Sequence, residues 1–177
     1  DFHSALIKKA QEKTADLNKY FVHGGLPSVC FIRDVMTRRQ RISEQLATIL
    51  DRDLRLVYPT SLALGQLMEF VRCLAKNEGK PIRYSSIKRE TGITEPTQKK
   101  LLYALEAVFL IRTFRIKGGA VATVIYFEDQ AEALHLSDYT KSEMTAMEGL
   151  LMRHLRAHFV YQQGVPFQFF HYKTGGG

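Results

Sequence analysis

The sequence predicts a mixed α/β fold, mainly helical, with a winged helix-turn-helix at its centre. Three observations carry that expectation. Apolar residues recur at helical spacing through much of the first hundred positions. Residues 85 to 116, SSIKRETGITEPTQKKLLYALEAVFLIRTFRI, read as a short helix, a glycine turn, a longer basic helix and a strand. TVIYF then returns as a second strand after a glycine-containing turn. A chain of 177 residues, 45% hydrophobic and 24% charged, suffices for one ordinary domain or one domain plus part of a second.

In TADLNKYFVHGG, Thr14 can cap a helix and Gly24 or Gly25 can end it, with Pro27 in the loop beyond. A long helix should run from Asp34 to about Val57, because Ile42, Leu46, Ile49, Leu50, Leu54 and Val57 recur on one side. Arg38, Arg39 and Arg41 crowd its first turns against the helix dipole, and Pro59 closes it. Leu64, Leu67, Met68, Val71, Leu74 and Ala75 make the stripe of another helix, stopping near Gly79. Ser85 can then cap a helix through Thr91, with Gly92 as its left-handed C-cap. Thr94 can cap the next, with Pro96 in its first turn. There Leu101, Leu102, Leu105, Val108 and Phe109 should face inward, leaving Gln98, Lys99, Lys100 and Tyr103 outside. LIRTFRI alternates as a strand, KGGAVA turns and TVIYF returns, which completes a helix-turn-helix with a two-stranded wing. A last helix, from Ser142 to about Tyr161, has Met144, Met147, Leu151, Leu155 and Phe159 as its apolar face. Glu148 falls inside that face, where a carboxylate is costly unless paired or bound to metal.

Charge narrows the function. Residues 72 to 117 hold eleven Lys/Arg against four Glu, which equals the whole net charge of +7, whereas residues 124 to 148 hold six acidic residues against Lys141. On the basic segment, Thr97, Gln98, Lys100 and Tyr103 could enter a major groove. Lys88, Arg89, Lys99, Arg112, Arg115 and Lys117 could meet phosphates. The same surface suits docking to a protein, including the acidic segment, equally well. Two distant cysteines, Cys30 and Cys73, make neither a disulfide framework nor a zinc knuckle and fit a reducing cytoplasm. Neither a spanning apolar run nor a signal-peptide core is present, so no membrane partner is expected. Gly79-Lys80 is followed by Pro81, with Leu74 where a phosphate-binding loop needs its first glycine, so ATP chemistry is not expected in these residues. His154 and His158 stand four apart on the last helix but lack an H-E-x-x-H glutamate, so no metal site is expected.

Six strings in order, YFVHGGLPSV, ILDRDL, SSIKRETGITEPTQKKLLYALEAVFLI, IYFEDQAEA, MEGLLMRHL and FQFFHYKTGGG, span nearly the whole chain. Together they resemble the uncharacterised domain that follows the ATPase core in a large prokaryotic family of AAA-superfamily ATPases. The resemblance matches Gly24, Gly25 and Pro27 to a glycine-glycine-proline turn, Arg52 and Asp53 to an arginine-aspartate pair, and Asp129 to the acid after the second wing strand. Glu148 matches the glutamate that opens a restriction-endonuclease-like region, although Gly149 stands where that family commonly has Asn, and Val124 or a neighbour where a lysine is frequent. The implied organisation is a helical lead from the ATPase core over 1–80, a winged-helix module over 81–135, and the start of a nuclease-like unit over 136–177. The nuclease-like site is expected to be incomplete, as in an excised segment. The implied function is a non-catalytic C-terminal accessory region, with ATP and magnesium belonging to the upstream core and no cofactor here. Its partners would be that core and DNA or a protein. The alternatives are a stand-alone winged-helix transcription regulator and a metal-dependent nuclease.

Overall fold

The computed structural model describes residues 2–117, 122–138, 143–163 and 170–172. Helix α1 spans Phe2–His23. It passes straight through Thr14, which is therefore mid-helical and not a cap; the preceding residues contain neither Gly nor Pro to stop it. Gly24, at φ +72°, ends α1, and its N–H donates to Tyr20 O at 2.8 Å. Pro27 opens the turn in which the N–H groups of Val29 and Cys30 both donate to Leu26 O.

Asp34 caps α2 (Val35–Thr48) by accepting from Thr37 N–H at 2.6 Å. A π-helical turn, Ile49–Asp53, then leads into α3 (Leu54–Val57) without a break. That wider turn has a packing reason. Residues four apart drift by about 40° on an α-helix, and one π turn reverses the drift. Ile42, Leu46, Leu50 and Leu54 consequently all stay buried along one line, whereas Val57 is exposed. Arg38, in the crowded basic turn, folds inward, donating to Ile32 O at 2.9 Å.

Helix α4 (Leu64–Lys76) buries Leu67, Phe70, Val71 and Leu74. Residues 78–82 then run along β2 (Thr123–Phe127): Gly79 N–H donates to Ile125 O, Ile82 N–H donates to Thr123 O, and Pro81 bridges Val124. Buried Glu78 accepts from Phe127 N–H at 2.8 Å. Helix α5 (Tyr84–Thr91) begins one residue before Ser85, after Arg83, and has no side-chain cap. Gly92, at φ +73°, is its left-handed C-cap. Helix α6 (Glu95–Ala107) follows, burying Leu101, Leu102, Ala104 and Leu105. Phe109 does not share that face. It adopts φ +58° as the chain leaves α6 and is 71% exposed, because the left-handed turn swings it off the helix.

Strand β1 (Ile111–Lys117) pairs antiparallel with β2, and β3 (Phe170–Tyr172) pairs parallel on its other edge. The hairpin has two covered faces. Ile111, Ile125 and Phe127 join the main core, which draws on residues from Val29 to Leu136 and so lies on both sides of residue 80. Phe114, Val124 and Tyr126 form a second cluster with Ile116 and Met152 of α8 (Glu143–Gln163). A further short helix, α7 (Gln130–Leu136), capped by Asp129, was not anticipated from sequence. Among the described residues, no helix is long and apolar enough to cross a membrane.

The apolar stripe of α8 is not its packing face. Met144, Met147 and Leu151 are 74%, 46% and 55% exposed, while Ala146 is buried and Gly149 faces Tyr126 of the hairpin. A Cβ at Gly149 would lie 3.6 Å from the Tyr126 ring, in ordinary contact, so the helix packs at Gly149 on that ring.

Candidate nucleic-acid interface

The expected contact residues separate into three groups. Lys88, Arg89, Lys100, Tyr103 and Arg115 are exposed, and Thr97 is half-buried, its hydroxyl 3.1 Å from that of Thr94. Lys100 lies over the Tyr58 ring at 5.9 Å. Lys99 is exposed but ion-paired to Glu95, one helical turn back, at 2.7 Å. Lys117 ends β1, and its side chain lies outside the described residues.

Gln98 and Arg112 do not stand where the sequence suggested. Gln98 is fully buried, its amide donating to Tyr84 O at 3.0 Å and to Ile93 O at 2.7 Å, so it ties α5 to α6 and cannot reach a groove. Gln98→Ala should therefore lower stability by about 1–3 kcal/mol in urea unfolding. Duplex affinity of the folded variant should stay unchanged, and a selective loss of affinity would return Gln98 to the interface.

Arg112 shares the hairpin face of Phe114 and Tyr126, since strand residues alternate and Arg112 pairs with Tyr126 in the register. Helix α8 covers that face. The Arg112 guanidinium meets Glu128 at 2.9 Å and Glu106 at 3.5 Å, and Arg156 of α8 meets the other Glu128 oxygen at 2.5 Å. Arg153 donates to Phe127 O at 2.8 Å and lies over the Tyr20 ring. This alternation of Glu106, Arg112, Glu128 and Arg156 ties α6, the hairpin and α8 together. Glu128 is thereby neutralised, which removes part of the acidic segment as a docking surface. Sequence reasoning missed Arg153 and Arg156. The available clue was that Ala146, Gly149, Arg153 and Arg156 recur at helical spacing, opposite the apolar stripe.

Glu148 is exposed and accepts from the Tyr126 hydroxyl at 3.1 Å. Burial, and then the Glu148 charge, raise the Tyr126 pKa above its ordinary value. His154 Nδ1 lies 3.0 Å from Leu150 O. Among the described residues, no group of three or more His, Cys, Asp or Glu is placed to hold a metal ion. The other position that the resemblance gave to the nuclease-like region, Gly149, serves packing.

Three of the remaining resemblance residues meet in space. Asp129 is 5% exposed; its Oδ2 accepts from Gly25 N–H and its Oδ1 from Ala131 N–H, both at 2.7 Å. A Cβ at Gly24 would lie 2.2 Å from Asp129 Oδ1, so the glycine pair is required by close approach to this carboxylate. Glu132, one turn along α7, is buried and accepts from Gln45 Nε2 at 3.0 Å, and Gln45 accepts in turn from the Ser28 hydroxyl. An open cavity of about 420 Å³ borders Glu128, Asp129 and Glu132. Arg52 and Asp53 stand apart in the π turn, paired to each other at 2.7 Å. Pro27 is exposed in its turn.

Comparison with known proteins fits an uncharacterised domain. No curated protein and no solved structure matches the chain. A family described as Domain of unknown function (DUF8612) matches residues 14–118, more than half of the chain, and the chain belongs to that family.

Proposed function

We propose that residues 81–135 are a winged-helix module that docks on duplex DNA within a non-catalytic accessory region. Helix α4, the 78–82 edge segment, α5, α6, β1 and β2 follow the order of a helix, a short strand, two helices and a hairpin wing, and the Pro81 to Val124 bridge supplies the short strand's pairing. One observation carries the DNA reading. Lys88, Arg89, Lys100 and Arg115 are exposed around α5, α6 and β1, and none of them is held in an ion pair among the described residues. Tyr103, 72% exposed on the same helix as Lys100, adds a flat amphipathic contact. By resemblance, the region sits after the ATPase core of a prokaryotic AAA-superfamily protein, and ATP with magnesium would act in that core. An upstream reading frame without a phosphate-binding loop would remove this context while leaving the DNA reading in place.

Binding should be weak, largely independent of sequence and steeply salt-dependent, because Lys and Arg displace phosphate counterions. The triple variant Lys88→Ala, Arg89→Ala and Lys100→Ala should flatten the slope of log affinity against log salt by up to about three units. Arg112→Ala should instead lower stability and leave the slope intact. Fluorescence anisotropy on a labelled duplex across a salt series measures both. An unchanged slope and affinity in the triple variant would mean that this face docks protein.

A further inference from the structure

We propose that the cavity between α4, α5 and β2 binds a small organic anion with an apolar body and a single phosphate or carboxylate head. The cavity holds about 430 Å³, within the range of small-molecule sites. Half-buried Ile82 and exposed Pro81 supply the accessible apolar surface of its floor, and Leu74, Ile87 and Ile125 are buried beneath them. Exposed Lys80 and Arg83 stand at its mouth beside Ser86. The wall is preformed: Ile82 N–H donates to Thr123 O at 2.8 Å and Gly79 N–H to Ile125 O at 3.1 Å, pinning the 78–82 segment to β2.

The two cations at the mouth, Lys80 and Arg83, are held in no ion pair among the described residues. Glu90 is engaged with the Cys73 thiol and the Ser86 hydroxyl, and Glu78 with Phe127 N–H; neither borders the cavity. The uncapped start of α5 adds its positive end. Two cations repel a metal ion, while the apolar floor gives a bare inorganic anion nothing to bury. None of Lys88, Arg89, Lys100 and Arg115 lines the cavity, so its residues differ from those of the DNA-docking face proposed above, although both sites draw on α5.

The test is calorimetric titration of the intact 177-residue chain with naphthyl phosphate, inorganic phosphate and naphthol. It is repeated on the double variant Lys80→Gln, Arg83→Gln and on Ser86→Tyr, whose ring would fill the mouth. Naphthyl phosphate should bind at least about ten-fold more tightly than either half-molecule, and each variant should lose at least about ten-fold. The methyl resonances of Ile82, Ile87 and Ile125 in the unaltered protein should shift on addition, a readout that needs no variant to fold. Four outcomes would overturn the proposal: no binding at millimolar concentration, equal binding by the double variant, shifts confined to other residues, or inorganic phosphate binding as tightly, which would mean an adventitious ion only. Loss of duplex binding by the double variant without any naphthyl phosphate binding would also overturn it, since the cations would then serve a DNA backbone.

Discussion

Gly24→Ala is expected to destabilise the protein by about 3 kcal/mol or more, a larger effect than most single substitutions produce. Two costs add. The residue sits at φ +72°, where a Cβ costs roughly 1–2 kcal/mol. That Cβ would also lie 2.2 Å from Asp129 Oδ1 and 2.6 Å from Ala131 Cβ, so those atoms must shift to admit it. Asp129 is held from both sides, its two oxygens bonded at 2.7 Å to Gly25 N–H and Ala131 N–H, so admitting a methyl group means breaking bonds to a charged acceptor worth about 1.5–3 kcal/mol each. Asp129→Ala should remove the same two bonds, of which the one from Ala131 N–H is the N-cap of α7, costing about 2–4 kcal/mol. Gly65→Ala is the control: nothing lies within 4 Å of its would-be Cβ in α4, and it should be neutral or stabilise by up to about 1 kcal/mol. Urea unfolding of the three variants checks this; a Gly24→Ala protein within about 1 kcal/mol of the parent would contradict the described contact.

Stability is also expected to fall as pH rises from about 5 to 9, and Glu132→Gln should abolish most of that fall. Burial pushes the Glu132 carboxyl up to about 8, with the Asp129 charge and then Glu128 acting in the same direction and the Gln45 hydrogen bond opposing them. An unfolded glutamate titrates near 4.5, so between that value and about 8 the folded chain keeps a proton that the unfolded chain has released. Each pH unit in this window then favours unfolding by up to about 1.4 kcal/mol, a few kcal/mol in total, and the penalty is complete above the folded pKa. Other groups around α7 do not reproduce this slope. His135, beside Ser43 at 2.9 Å, is held below its ordinary 6.5 by burial and then by Arg72 and Arg39, so it lowers stability only as pH falls below that value. Thermal unfolding across pH should therefore show a falling midpoint for the parent and a nearly flat one for Glu132→Gln from pH 7 upward. A slope that persists in the variant would assign the proton to another group.

Residues whose conformation depends on their neighbours in the chain were readable from sequence alone. Gly92 ends α5 in the left-handed region because only glycine enters it without cost, and TVIYF is β2 because its residues favour extended backbone between turn signals. The stripe Leu101, Leu102 and Leu105 points inward because helical spacing and hydrophobicity agree there. Orientation relative to distant elements was decided by tertiary structure. Helix α8 turns Gly149 and Met152 to the hairpin and leaves Met144 and Leu151 exposed, since packing on Tyr126 and the Arg153 and Arg156 contacts outweigh its apolar stripe. Arg112 and Gln98 look like surface residues in sequence, yet α8 covers the one and the α5–α6 junction encloses the other. Gly24 and Asp129 stand 105 positions apart, and no local pattern joins them. The sequence determined most of the helices, the β1–β2 hairpin and the glycine C-cap at Gly92, because those follow from backbone propensity and period. Thr14 and Ser85, by contrast, lie inside helices, and α7 and the π turn had no local signal. Which faces meet was settled only in the folded chain, where sterics, desolvation and the pairing of buried charge act across long separations.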